Sequence, residues 1–182
     1  MSKLLVVVDM QNDFISGSLG TKEAEAIVEK VVQKIEVYKQ QGHKVVYTRD
    51  THEANYLCTK EGEKLPVIHC VKETWGWQLN EAVQRTVVSA NQIYDKGTFG
   101  AIALGEKVKS LWEEEAHLEI EVIGLCTDIC VISNALLIKA YVPEIDITVD
   151  AACCAGVTPE SHENALNAMK MCQIDIINAE LR

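Results

Sequence analysis

No repeat, low-complexity tract or Pro/Gly/Ser-rich linker interrupts this 182-residue sequence, so nothing in it marks a domain boundary. A chain of that length can bury one proper core and is short for two domains, so a single domain over residues 1–182 is expected. Positive charge is scarce: 17 Lys and Arg stand against 27 Asp and Glu, a formal net charge of -10. A nucleic-acid or anionic-membrane partner calls for a basic patch, and that balance argues against both. The opening segment, MSKLLVVVDMQNDF, holds an apolar run of only five residues before a charge interrupts it. Such a run is too short for a signal-peptide core or a membrane span. The seven cysteines are odd in number and form no CxxC pair. Free thiols in a reducing cytoplasm are expected, not a disulfide scaffold.

The rest of the composition is ordinary, 48% hydrophobic and 24% charged. Apolar runs alternate with helical patterns. KLLVVVD, ending at Asp9, reads as a short buried strand. Over Lys22–Gln41 the residues Ile27, Val31, Ile35 and Tyr38 recur on one helical face, and Gly42 supplies the stop. HKVVYT is a second strand, followed by a long irregular stretch from Arg49 to Trp77. NQIYDK is a third, with a helix through Leu104, Val108, Leu111 and Trp112 behind it. LEIEVIGL is the fourth, followed by a helix over Cys130–Tyr141, and EIDITVD is the fifth. Thr158 as cap and Pro159 in the first turn open a helix along Ala165, Leu166, Met169 and Cys172. IDIIN closes as the sixth strand.

This alternation predicts an α/β fold, a parallel sheet with right-handed crossovers and helices on both faces. In such sheets ligands gather beyond the carboxyl ends of the strands, where strand order reverses. The first strand delivers Asp9 there, the second Asp50 and His52, the third Lys96, and the fourth Cys126 and Cys130. A carboxylate, a cation, a thiol and a D-x-H pair thus share one rim.

Each of these residues has a plain reading beside a chemical one. Cys130 falls in the first turn of its helix if Thr127 is the cap, where free N–H groups and the helix dipole favour a thiolate. It fits a buried small hydrophobe equally well. Cys126 reads as loop or packing, and Cys153 and Cys154 as structural. Asp9 is a capping aspartate, or a base whose pKa is raised at the edge of an apolar sheet. Lys96 alone is a surface lysine; with Asp9 and Cys130 it completes a base, cation and nucleophile set. Asp50 and His52 project the same way from extended chain. With His69 they make an oxygen and nitrogen set suited to a divalent metal, zinc first and iron or manganese as alternatives. Glu61 is a candidate fourth ligand and Glu63 a weaker one. A loop that long needs a reason to be ordered, and an ion supplies one.

The motifs VVVDMQNDF (Val6–Phe14), TRDTH (Thr48–His52), HC (His69–Cys70), DKGTFGA (Asp95–Ala101) and GLCTDICV (Gly124–Val131) follow one another in order. In that arrangement the chain resembles the isochorismatase-like cysteine hydrolases along nearly its whole length, and the nicotinamidase-like branch most. The resemblance implies three αβα layers around a six-stranded parallel sheet of order 3-2-1-4-5-6, with the first and fourth strands adjacent at the switch point. It implies Asp9, Lys96 and Cys130 as a catalytic triad, and one divalent metal on Asp50, His52 and His69. It also implies an oxyanion hole from the backbone N–H groups of Cys126 and Cys130, with a cis peptide between Leu125 and Cys126. The implied reaction is attack of Cys130 on a small carboxamide, loss of ammonia and hydrolysis of the thioester. Homo-oligomers are frequent among such relatives.

Two departures bear on the substrate. Nicotinamidases often read W-P-x-H-C where this chain reads LPVIHC, one residue longer and without the tryptophan. The segment after the lysine is shortened to GTFG. Phe14 remains to wall a pocket, and Trp75 or Trp77 stands as a candidate replacement for the missing ring. A ureido- or carbamoyl-group hydrolase and an isochorismatase are the alternatives within the same fold. The last needs no metal at this site, which the D-x-H and His trio argues against. A metal- or redox-sensing binding protein is the non-enzymatic alternative, and such a sensor has no use for the base and the lysine.

Overall fold

The computed structural model describes residues 2–115 and 117–180. Strand β1 (Ser2–Val8) is the centre of the molecule, with Leu4 to Val8 wholly inaccessible to solvent. A strand buried on both faces needs an unbroken apolar run, and this is the run that meets Asp9. The chain continues through a short helix α1 (Asn12–Ile15) and a long one, α2 (Lys22–Gln40), capped by the Thr21 side chain. Then come β2 (Lys44–Asp50), α3 (Lys60–Lys64), α4 (Glu81–Gln84) and β3 (Ile93–Lys96). The second half runs α5 (Ile102–Glu114), β4 (Leu118–Leu125), α6 (Ile132–Tyr141), β5 (Asp146–Ala155), α7 (Pro159–Met171) and β6 (Asp175–Ile177).

All pairings are parallel and the sheet order is β3-β2-β1-β4-β5-β6, as the resemblance implied. The switch point lies between β1 and β4. Gly124 sits there at φ 116°, and a Cβ on it would collide with the backbone of Val8. Only glycine lets the fourth strand lie that close to the first while carrying this φ.

The structure moves several boundaries. The second strand reaches Asp50, so Arg49 and Asp50 belong to the sheet and not to the irregular stretch. That stretch itself holds α3 and a single tight turn over Tyr56–Cys58. The fifth strand runs on to Ala155, which puts Cys153 and Cys154 inside it, both buried. Among the described residues no helix is long and apolar enough to cross a membrane.

Candidate active site

Three strand ends deliver three side chains to one point. Asp9 follows β1 directly and takes φ 45°, a left-handed conformation rare outside glycine. Its N–H donates to the Thr48 carbonyl at 3.2 Å, and the Thr48 hydroxyl donates to Asp9 Oδ1 at 2.7 Å. Lys96 ends β3 in register with Asp50 on β2. Its Nζ lies 2.7 Å from Asp9 Oδ2, 3.4 Å from Cys130 Sγ and 3.6 Å from Asp50 Oδ1. All four residues are buried.

Burial dominates the electrostatics. It raises the Asp9 carboxyl above the usual range, with Asp50 adding to the rise and Lys96 pulling against it. Burial also works to lower Lys96, but the surrounding Asp9, Cys130 and Asp50 outweigh it and keep the ammonium charged. The Cys130 thiol is pushed well above its ordinary value by burial and then by Asp9, against the opposing charge of Lys96. The expected helix-end thiolate is therefore not what the surroundings favour: burial and the Asp9 carboxylate favour the neutral thiol. For Asp50 burial acts upward, but His52 and the Lys96 charge together bring it below its ordinary value.

The turn carrying Cys130 differs from the expected one. Thr127 does not cap a helix; its hydroxyl pairs with His162 Nδ1 on α7 at 2.7 Å. The Ile129 and Val131 N–H groups both donate to the Cys126 carbonyl, so a widened turn over Thr127–Val131 precedes α6. The Leu125–Cys126 peptide is cis. Asn134, in the first turn of α6, donates to the Cys130 carbonyl at 2.8 Å and accepts from the Ala101 N–H at 2.9 Å. Those two bonds tie the cysteine turn to the loop that follows Lys96.

Beside this trio lies a second group. Asp50, His52, Glu61 and His69 each aim one donor atom at a common point, all within 4.8 Å of one another. His69 Nδ1 is committed to the Val67 carbonyl at 2.8 Å, which leaves Nε2 facing the cluster. His52 Nε2 is buried and makes no well-directed hydrogen bond, although Asp50 Oδ2 lies only 2.8 Å away. Two imidazoles and two carboxylates converging on one point suit a divalent cation such as zinc, iron or manganese. The residues fit the implied ion. Glu61 is brought into the group, 3.6 Å from His52 and 3.7 Å from His69. Glu63 is not; it is exposed and pairs with Lys60.

What holds the irregular segment in place went unread in the sequence. Gln11 donates to the carbonyls of Asp50 and Trp77 and accepts from the Asp50 N–H at 2.7 Å. Asn12 donates to the Trp75 carbonyl, and Asp13 accepts from the Cys70 N–H at 2.8 Å. A Cβ on Gly76 would collide with the Asp13 carboxylate, so a glycine is required where the loop passes it. The polar run straight after a buried strand was the available signal.

A cavity of about 820 Å³ opens over both groups. Cys130, Cys126, Asp50 and His69 form its floor, and Phe14, Leu65, Phe99 and Val157 are among its apolar walls. Phe14 also lies 5.6 Å from the His69 ring. Neither candidate tryptophan lines the cavity. Trp77 is stacked under Arg49 at 3.5 Å and donates to the Thr51 hydroxyl at 2.8 Å, while Trp75 is 59% exposed. Phe99, from the shortened GTFG segment, is the second ring instead.

Comparison with known proteins gives a consistent picture. A family model described as the isochorismatase domain matches residues 3–180. A nicotinamidase of Saccharomyces cerevisiae is 29% identical over 173 residues, covering 74% of this chain and 80% of that protein. The crystal structure of a pyrazinamidase of Pyrococcus horikoshii in complex with zinc superposes with a TM-score of 0.80 at 26% identity, covering 97% of this chain and 99% of the other. A pyrazinamidase/nicotinamidase of Streptococcus mutans gives 0.81 at 26% identity, covering 97% and 100%.

Proposed function

The chain belongs to the isochorismatase family, and from that premise we propose that it is a nicotinamidase-like amidohydrolase, converting a small carboxamide to its acid and ammonia through a thioester on Cys130. The observation that carries this reading is that Cys130, set against Lys96 and Asp9, and the cluster of Asp50, His52, Glu61 and His69 open onto one cavity, lined by Cys130, Asp50, Glu61 and His69. A sensor or binding protein has no need of a buried base against a thiol. The similarity to nicotinamidases and pyrazinamidases supports the amide bond as the target.

In this reading Asp9 accepts the thiol proton as Sγ bonds to the carboxamide carbon, and the carbonyl π electrons move to oxygen. The N–H groups of Cys126 and Cys130 receive the oxyanion. Asp9 returns the proton to the leaving nitrogen, the C–N bond breaks, and ammonia departs. A water then gives a proton to Asp9 as its oxygen attacks the thioester; the acid leaves and the thiol regains its proton. Lys96 holds Asp9 in place and offsets the negative charge that builds between carboxylate and sulfur. Asp50, His52 and His69, with Glu61, would hold one divalent ion, which when bound supplies a Lewis-acidic point to fix a ring nitrogen or oxygen of the substrate. Phe14 and Phe99 flank the substrate ring. One continuous sheet and one core support treating residues 1–182 as a single domain, and seven free cysteines fit a cytoplasmic location.

The test is ammonia release from a panel of small carboxamides, nicotinamide and pyrazinamide among them, with the metal content of the same preparation measured in parallel. Turnover of a pyridine or pyrazine carboxamide by metal-bearing protein is expected. Metal-bearing protein that releases no ammonia from any member of the panel would overturn the reading.

A further inference from the structure

Against the two histidines packs Tyr56, which no sequence pattern singles out. Its residue is 1% exposed, and its ring centroid lies 4.6 Å from that of His52 and 4.9 Å from that of His69. The two imidazoles are 4.8 Å apart, so the three rings form a closed triangle. At the far end of the ring the hydroxyl donates to the Leu65 carbonyl at 2.8 Å. Leu65 closes α3 and lines the cavity.

The backbone of Tyr56 is used as well. Its carbonyl accepts from the Thr59 hydroxyl at 2.7 Å, and Thr59 caps α3 by accepting from the Gly62 N–H at 3.1 Å. A Cβ on Gly62 would collide with that same carbonyl, so α3 is seated directly against Tyr56. Glu61 lies within this seated turn. The candidate ligands come from three separate places: Asp50 and His52 from the end of β2 and just beyond, Glu61 from α3, and His69 from the loop. Tyr56 touches all three places.

We propose that Tyr56 is the positioning residue of the ion site, with its ring fixing His52 and His69 and its hydroxyl and carbonyl holding the α3 arm that carries Glu61 and the cavity wall. The two halves of the side chain then have separable duties. The ring sets how well the ion is held, because an imidazole free to turn loses the directed lone pair that an ion needs. The hydroxyl sets how well the wall at Leu65 meets the substrate. The proposal rests on reading the four-residue cluster as an ion site.

Two variants test it, with zinc binding measured by calorimetry on metal-stripped protein as the readout that does not depend on activity. Tyr56→Leu removes the ring and is expected to weaken zinc binding by about 10–100-fold, the scale seen when the outer support of a metal ligand is lost. Tyr56→Phe keeps the ring and removes the hydroxyl. Its zinc affinity is expected within about 3-fold of wild type, while KM rises about 3–10-fold with kcat little changed, as for one lost hydrogen bond that acts on substrate binding. A folded Tyr56→Leu protein that binds zinc as wild type does overturns the positioning role. If the leucine variant fails to fold, the phenylalanine variant decides alone: wild-type KM sinks the proposal, and the predicted split between KM and zinc affinity sustains it. Wild-type protein that binds no zinc would instead remove the ion-site reading itself, a result separable from either variant's.

Discussion

The two halves of the site are built in opposite ways. Asp9, Lys96 and Cys130 stand on or beside strand ends and the turn after β4, so the sheet itself sets their spacing. His52 and His69 sit on irregular chain between β2 and α4, and Glu61 on the short helix α3 within it; one isolated bridge between His52 and Val71 stands there in place of a continuous ladder. That segment is held by polar side chains of the Gln11–Asp13 run, by Tyr56, and in our reading by an ion. The difference teaches that reaction geometry and substrate placement can fail separately. Lys96, bonded to Asp9 and 3.6 Å from Asp50, links the two.

The largest effect should come from the strand-end half. Cys130→Ala is expected to lower turnover at least ~1,000-fold while thermal unfolding stays near that of wild type, since no other residue replaces the nucleophile. Asp9→Asn should cost at least ~100-fold in acylation rate, the low end of a general-base contribution, seen as loss of the initial burst of ammonia. A normal burst would remove Asp9 from that role. Neither substitution should change zinc affinity by more than a few-fold, and a large change would break the separation drawn above.

Removing the ion should strike the other half. Chelation of a zinc-saturated preparation is expected to speed amide exchange across residues 51–71 while β1 and β4 keep their protection. At free zinc about 100-fold above its dissociation constant, binding adds about 2.7 kcal/mol, which corresponds to a loss of about 5–10 °C in Tm on chelation. Exchange that rises equally in the central strands would mean the loop is not a separate unit.

Smaller still is the effect of Asp13→Ala. It leaves the buried Cys70 N–H without its acceptor, at a cost of about 1–3 kcal/mol. Zinc affinity should fall, whereas the alkylation rate of Cys130 by iodoacetamide should stay within ~2-fold of wild type. Parallel losses in both would show that the loop anchors also shape the thiol.

How much of this was legible in the sequence follows the same division. Asp9 closes an apolar run, Lys96 ends the third strand and Cys130 follows the fourth, and alternation of strands and helices fixes which ends share a rim, so the three could be placed together. The Cys130 turn was misread because its outcome hangs on His162, which takes the Thr127 hydroxyl from 35 residues away. The fifth strand was cut short because Ala151, Ala152, Cys153 and Cys154 carry no β-branched signal, although burial keeps them extended. Trp77 could not be kept out of the cavity by sequence, since its partners Arg49 and Thr51 lie 26 or more residues away along the chain. Tyr56 has no periodicity around it to reveal two histidines as its neighbours.

The smallest predicted effect lies away from the site and serves as a control on the sheet half. Lys34 on α2 bridges Glu121 on β4 and Asp150 on β5 at 2.7 and 2.8 Å. Burial lowers its pKa, but the two carboxylates outweigh this and hold it above its ordinary value of 10.5. A raised lysine contributes stability that is complete below 10.5 and disappears as pH climbs through the folded value. Urea midpoints measured between pH 10 and about pH 12, above the unfolded value, should therefore fall more steeply for wild type than for Lys34→Met. Equal slopes would take Lys34 out of the explanation.

The most direct measurement is mass spectrometry of protein mixed with nicotinamide or pyrazinamide and quenched in acid within the first turnovers. The mechanism predicts an acyl group on the peptide that contains Cys130, appearing with up to one ammonia per active site and vanishing as acid is released. Steady ammonia release with no acyl group on Cys130, together with undiminished turnover by Cys130→Ala, would contradict it.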